Sequence, residues 1–392
     1  MKIALCNVQE FNPIIGGIER VSVSLASQLV KAGIDVIFIS SRKSLYSEGC
    51  SLPAKQFTLP CPEDYSVDNV HAMAELLVSQ KVDIVVNQNA HSANFHRQCA
   101  EVCKITNIRL VSVLHFNPDM RIKSYKHMVD STFFTLAENF RYLLYGVALS
   151  WPFSLVTMHD QKKLYRALYE DSDRVILLSN KFYSLYKQIA GLKDTSKLCA
   201  IPNMLSFQYE DEDYIKDNVI LWCGRMSAQK NPYRALYIWK EIQDKLPEWK
   251  LQMIGDGPWL ERIKDLSGKM KLKRIEFLGF QPPQEYYKKA KIFMLTSNFE
   301  GWALTLTEAM QHKCVPVAFN SYESLSDIIA DERCGLVIEP FDIRLYAQKI
   351  IELTHNKEFP NMANNAHEFI NRFSSEFILK QWVNLFTDII KC

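Results

Sequence analysis

Two glutamates, Glu300 and Glu308, stand eight residues apart in Ser297-Asn298-Phe299-Glu300-Gly301-Trp302-Ala303-Leu304-Thr305-Leu306-Thr307-Glu308-Ala309-Met310. The string follows a short apolar run. Glu300 is therefore expected in a loop at the carboxyl end of a strand, and Glu308 on the helix that the loop opens. Between them lie Gly301, Trp302, Ala303, Leu304 and Thr305, all expected at the ligand, and the amides around Trp302–Thr305 would be unpaired first-turn donors aimed at an anion. The spacing offers two acceptors for hydroxyls on either side of a phosphate cradle. One pair of glutamates is ordinary surface charge, but the whole string is far more particular.

Other segments could serve the same chemistry. Cys223-Gly224-Arg225 is followed by Lys230-Asn231-Pro232. Arg225 and Lys230 can converge on a diphosphate there, the arginine through paired N–H groups and the lysine as a point charge. By itself the segment reads equally as a solvated loop with two surface cations, although Pro232 suits the first position of a helix. Gly16-Gly17-Ile18-Glu19-Arg20 follows the first apolar run and opens an amphipathic stretch through Val30, so its glycines would let amides approach a ligand. A plain strand-to-helix turn explains that segment just as well. Ile254-Gly255-Asp256-Gly257-Pro258 is a further glycine turn, but Leu260 occupies the third glycine position of a dinucleotide fingerprint, which counts against a nicotinamide-dependent dehydrogenase. His115 ends another apolar run.

The elements that must position these residues follow from pattern. Runs rich in Ile, Val and Leu alternate with longer amphipathic stretches, the mark of doubly wound α/β sheets. Strands are expected at Ile3–Cys6, Val36–Ser40, Val82–Asn87, Leu110–His115 and Val175–Leu178, then at Val219–Cys223, Leu251–Ile254, Ile275–Leu278, Ile292–Leu295, Val315–Phe319 and Gly335–Ile338. Two Rossmann-like domains result, residues 1–200 and 201–374. A helix over 375–392 could cross back to brace the first. At 392 residues the chain is longer than one core usually serves.

Composition removes several classes. Hydrophobic residues make up 48% and charged residues 23%, as in an ordinary soluble protein. With 46 basic and 44 acidic residues there is no global field for nucleic acid. The ten cysteines are scattered without a C-x-x-C pair, which suits free thiols in a reducing cytoplasm. Cys99 and Cys103 with His96 could ligate a metal, but a buried helical face is the better reading, and no metal is expected. The opening MKIALCNVQE is too short an apolar run for a signal peptide and reads as a strand.

Taken in order, these segments resemble glycosyltransferase family 4: Gly16-Gly17, Pro202-Asn203, Gly224-Arg225 with Lys230-Asn231, Gly255-Asp256-Gly257-Pro258, and Glu300 to Glu308 as an E-x7-E motif within a group 1 transferase domain. The resemblance implies a GT-B fold, two Rossmann-like domains facing a cleft, with the acceptor on the first and the nucleotide sugar on the second. It implies a retaining, metal-independent transferase with no cofactor. Its donor would be a nucleotide diphosphate sugar, a uridine donor first and guanosine diphosphate mannose next. The family pattern assigns Arg225 and Lys230 to the diphosphate, Glu300 to sugar hydroxyls, Glu308 to the ribose and His115 to the side of the donor sugar. Gly16 and Gly17 would pack near the phosphates on closure. The chain departs from the pattern at Gln311-His312-Lys313 and at Ser321-Tyr322-Glu323 with Asp327. A sugar-nucleotide epimerase or phosphorylase, and a non-catalytic nucleotide-sugar-binding subunit, remain open alternatives.

The acceptor side carries one more signal. Tyr142–Met158 contains no charged residue, and around it Arg121, Lys123, Lys126, Arg141, Lys162, Lys163 and Arg166 face only Asp130, Glu138 and Asp160, a net +4. Either these aromatics pack the first core or the stretch touches an anionic membrane peripherally. The expectation is a cytoplasmic enzyme of envelope polysaccharide synthesis, such as lipopolysaccharide or capsule, acting on a glycan or lipid-linked acceptor at the inner membrane face.

Overall fold

Aliphatic runs without polar alternation need cover on both faces, which parallel strands with helical crossovers supply. The computed structural model describes residues 1–14, 16–43, 51–120, 150–207 and 214–391. One compact unit combines Met1–Pro118, Val156–Ser206 and Phe373–Cys392, and the other is built on Phe207–Arg372.

The first unit holds a parallel sheet of β1 (Lys2–Gln9), β2 (Asp35–Arg42), β3 (Lys55–Thr58), β4 (Ile84–Asn87), β5 (Arg109–Leu114), β6 (Arg174–Leu177) and β7 (Leu198–Ala200), in the order β3-β2-β1-β4-β5-β6-β7. Its helices are α1 (Gly17–Lys31), α2 (Val67–Ser79), α3 (Ala93–Thr106), α4 (Ser150–Asp171) and α5 (Phe182–Ala190). The second sheet comprises β8 (Asp217–Cys223), β9 (Lys250–Ile254), β10 (Ile275–Phe277), β11 (Ala290–Leu295), β12 (Val315–Phe319) and β13 (Leu336–Ile338), in the order β10-β9-β8-β11-β12-β13. Around it lie α6 (Pro232–Ile242), α7 (Leu260–Lys269), α8 (Gln284–Lys289), α9 (Leu304–Gln311), α10 (Leu325–Ile328), α11 (Ile343–His355) and α12 (Phe359–Ile370). The last helix, α13 (Ser375–Lys391), belongs to the first unit. It contacts α1, buries Ile378, Trp382, Phe386 and Ile389, and is preceded by a Leu205 amide to Phe373 carbonyl bond of 2.9 Å.

Each sheet has one place where the chain reverses direction. In the first it runs outward from β1 to β3 and returns beside β1 as β4. In the second it runs from β8 to β10 and returns beside β8 as β11. Loops at the carboxyl ends of strands diverge at such switch points and leave a crevice. The glycine turns serve this geometry. Gly224 donates to Ile254 O at 3.0 Å and Met226 to Asp256 O at 2.8 Å, so the loops after β8 and β9 lie backbone on backbone. Gly255 has φ +137°, and a Cβ there would sit 1.8 Å from Gly224 O. The turn is glycine-rich because two main chains meet, which the incomplete fingerprint did not convey.

All eleven expected strands are present. The two that pattern did not show, β3 and β7, are short strands at opposite edges, Lys-Gln-Phe-Thr and Leu-Cys-Ala, with little apolar surface to reveal them. Cys99 and Cys103 lie in the first core, where burial pushes both thiols well above their usual range, and His96 Nε2 meets Asp171 Oδ2 at 3.3 Å. Among the described residues no group of three or more His, Cys, Asp or Glu could hold a metal ion. Of Tyr142–Met158, residues 142–149 lie outside the described residues, and Ser150–Met158 falls in α4. No described helix is long and apolar enough to cross a membrane.

The close approach at Gly255 has a measurable consequence. Gly33 also has positive φ, +78°, but nothing lies within 4 Å of a Cβ placed there. Gly33→Ala should therefore lose only left-handed strain, about 1–2 kcal/mol, whereas Gly255→Ala adds backbone overlap and should lose at least about twice that. Denaturant midpoints of the two variants compare them, and equal losses would contradict the packing account.

Candidate active site

The β8/β11 switch point gathers most of the expected donor-side residues. Leaving β11, Thr296 is fully buried, with its hydroxyl 2.9 Å from Lys230 O and 3.0 Å from Asn231 O, and it accepts from Trp222 Nε1 at 2.9 Å. Asn298 then bonds the loop after β8 twice, through its amide to Gln229 O and through Nδ2 to Ala228 O, both at 2.7 Å. Arg234, on the first turn of α6, donates to Asn298 Oδ1 and to Thr296 O. Its guanidinium lies 3.7 Å from the Phe341 ring centroid, where a planar cation can be both buried and stacked. The two loops are thus sewn together from both sides.

At their centre is Glu300, only 4% exposed. Its Oε1 accepts from Lys230 Nζ at 2.5 Å and from Ser297 Oγ at 2.7 Å, and its Oε2 accepts from Gln229 Nε2 at 3.2 Å. A carboxylate offers about four acceptor positions, so one remains for an incoming hydroxyl while Lys230 stays in place. Lys230 and Glu300, expected to hold different parts of a ligand, therefore hold each other here. Arg225 is exposed and makes no hydrogen bond or ion pair among the described residues.

The helix that follows presents a partly open end. No side chain caps α9 at Ala303. Leu306 and Thr307 donate to Ala303 O, and Leu304 donates to Trp302 O at 3.0 Å. Leu304 is thus a correction to the expected free donors, because a tight turn at Trp302 uses its amide. The amides of Ala303 and Thr305 have no partner among the described residues, and the buried Thr305 hydroxyl has none either. Gly301 is buried, its carbonyl accepting from Ser324 Oγ at 2.8 Å, and Trp302 is 6% exposed. Glu308, read as projecting toward a ligand, has no exposed surface, and its Oε2 accepts from Tyr287 at 3.1 Å. The physical reason is that α9 is covered on the side that carries Glu308, by the helix α8 that bears Tyr287.

The other switch point, β1/β4, brings a smaller group together. Gly16 precedes α1 and Gly17 opens it, again with no side-chain cap. Glu19 folds back over Gly16, where its Oε2 would lie 2.4 Å from a Cβ, and accepts from buried Asn7 Nδ2 at 3.1 Å. His115 stands just past β5, and its Nε2 is 2.7 Å from Oε1 of Gln88, just past β4. Burial first, and His91 second, push the His115 pKa down to about 3, so the imidazole is neutral at pH 7. Gln88, Gln229, Arg234 and Tyr287 did not stand out in the sequence, and Ser297 did so only as the first residue of its string. Position alone could have flagged Gln88 and Gln229, since both lie just beyond switch-point strands.

Comparison with known proteins agrees with this geometry. Residues 15–208 match the family described as Glycosyltransferase Family 4, and residues 210–369 match that described as Glycosyl transferases group 1. The amylovoran biosynthesis glycosyltransferase AmsD of Erwinia amylovora is 24% identical over 376 residues, covering 94% of this chain and 95% of that protein. An exopolysaccharide phosphotransferase of Streptomyces coelicolor is 27% identical over 222 residues, 56% of this chain, which spans only 24% of that longer protein. The structure of Anabaena HepE in complex with UDP and glucose aligns with a TM-score of 0.74 at 16% identity, over 99% of this chain and 100% of that one, a likeness of fold. The two family matches together run from residue 15 to residue 369 with one residue between them, and the chain belongs to the family 4, group 1 glycosyltransferases of the GT-B fold.

Proposed function

We propose that the chain transfers a hexose or N-acetylhexosamine, with retention, from a nucleotide diphosphate sugar to a glycan or lipid-linked acceptor in polysaccharide synthesis. The observation that carries the reading is the buried Lys230–Glu300 pair beside the open amides of Ala303 and Thr305. AmsD, named for amylovoran biosynthesis, supports a role in polysaccharide synthesis, and HepE, solved with UDP and glucose, favours a uridine donor over guanosine diphosphate mannose. Residues 1–200 take the acceptor, residues 201–374 the donor, and helix 375–392 completes the acceptor domain.

In this mechanism Arg225, Lys230 and the two open amides receive the diphosphate. As the bond from the sugar's anomeric carbon to the diphosphate breaks, the acceptor oxygen bonds that carbon on the same face, and its proton passes to a departing phosphate oxygen. Lys230, drawn to the diphosphate, vacates one position on Glu300 Oε1. With the free position on Oε2, Glu300 can then accept two sugar hydroxyls. The cations and the helix end supply the positive potential, so the step needs neither catalytic metal nor cofactor. Glu308 is assigned to the ribose, which requires Tyr287 to yield its place, and His115 to the flank of the donor sugar. An epimerase would consume donor without acceptor, and a non-catalytic binding subunit would release no nucleotide. Incubation with a donor panel, with and without acceptor, separates the three by when free nucleotide appears.

The exposed and buried cations should behave differently. Arg225→Ala should lower turnover about 10²–10³-fold at unchanged stability. Lys230→Ala should lower turnover and also destabilise, by about 3–5 kcal/mol, because it strands Glu300 as an unpaired buried charge. Near-normal turnover of Arg225→Ala at saturating donor would refute the diphosphate assignment.

Glu300→Gln should separate sugar from nucleotide recognition. Free UDP, which would take Lys230 from Glu300 without returning any hydroxyl, should bind the variant at least as tightly as wild type. UDP-glucose should bind it more weakly. Calorimetry giving equal losses for both ligands would exclude these roles.

The enzyme is further assigned to the cytoplasm, in peripheral contact with the anionic inner face of the membrane. Lys162 and Lys163 are exposed on α4, which supports that contact. Flotation with anionic liposomes should show binding at low salt that Lys162→Glu with Lys163→Glu abolishes, and binding untouched by the double substitution would remove the membrane from the proposal.

A further inference from the structure

We propose that Gln88 is the positioning residue of His115: a neutral amide that holds the ring with its proton on Nε2 and leaves Nδ1 as a bare acceptor for the reaction. The inference rests on the reading of His115 as the group at the flank of the donor sugar.

The geometry begins in the backbone. Gln88 follows β4, and its amide donates to Cys6 O on β1 at 2.8 Å, extending the sheet one residue past the strand. Asn87 Oδ1 accepts from the Asn89 amide at 2.9 Å, which turns the chain sharply at this point. With both neighbours held, Gln88 is 2% exposed and its Oε1 faces His115 Nε2 at 2.7 Å. No other hydrogen bond to the ring exists among the described residues. An acceptor on one ring nitrogen fixes the proton there and leaves the other nitrogen its lone pair.

The residue type matters as much as the contact. Histidine rings are commonly oriented by carboxylates, which also stabilise the imidazolium. Here the partner has no charge, and neither have the walls. A cavity of about 20 Å³ beside the two side chains, room for one water, is lined by Ser22 of α1, Asn203 after β7, Ile378 and Trp382 of α13, and no charged side chain. His91 is the one titratable group acting on the ring, and it opposes a second positive charge. Orientation without charge suits a group that must accept a hydrogen bond next to a sugar on which positive charge develops. An imidazolium there would repel that charge.

The test uses the full-length protein with nitrogen-15-labelled histidine. In wild type at neutral pH, the His115 signals should show the Nε2–H tautomer, and the Nδ1–H tautomer would overturn the proposal outright. Gln88→Met keeps the side-chain volume and removes the acceptor. It should give a mixed tautomer and lower kcat about tenfold, with little change in donor KM. Gln88→Glu should keep the tautomer but raise the titration point by two or more pH units, because a carboxylate favours the charged ring. It should therefore show an acid limb in its rate profile at higher pH than wild type. A tautomer unmoved in Gln88→Met refutes the positioning role whatever His115 does. A tautomer that shifts while kcat stays at the wild-type value leaves Gln88 as the group orienting the ring and overturns the part assigned to His115. If Gln88→Met fails to fold, the wild-type tautomer and the Gln88→Glu titration still decide the matter.

Discussion

The switch point of the second unit is built around one ion pair, Glu300 buried and Lys230 partly so. Lys230 and Glu300, 70 residues apart in sequence, meet across the line where the chain reverses direction in the sheet, on the loops that follow β8 and β11. A buried pair of this kind repays its desolvation only when its remaining acceptors are filled and its geometry is fixed. Ser297 and Gln229 take two further positions on the carboxylate and leave one open, while Thr296, Asn298 and Arg234 fix the loops. Apolar residues could fill the same place at little cost in stability, so the pair suits the proposed use, in which the partners separate. A diphosphate that claims the lysine and a sugar that claims the carboxylate are such a use.

The two switch points differ in electrical character. The β8/β11 point combines cations, a carboxylate and open amides, with Arg225 held in solvent. The β1/β4 and β5 loops offer a neutral imidazole and an amide, with Glu19 turned inward onto Asn7. In the proposed reaction the first set would receive the charged diphosphate and the second a neutral, hydroxyl-rich group.

The sequence made some of this legible and hid the rest, for physical reasons. The string from Ser297 to Met310 carries its loop and helix locally, so its placement after a strand could be read directly. That Lys230 would meet Glu300 could not, because the contact exists only once β11 returns beside β8 past two intervening strands. The His115–Gln88 bond is hidden in the same way, by the pairing of β4 with β5. Helical phase was legible for Glu308 but cover was not: its face meets Tyr287 on α8, an element defined by only six residues. Gly255 looked like a ligand turn and is a meeting of two main chains, which no single segment announces.

The last helix has an implication for how the molecule comes into being. Residues 375–391 complete the first unit, yet they leave a ribosome only after the whole of Phe207–Arg372 has been made. The first unit, begun earliest, therefore stays without its last helix, and without Trp382 and Phe386, until synthesis reaches residue 391. Of the two units, the one begun first is thus the last to be completed.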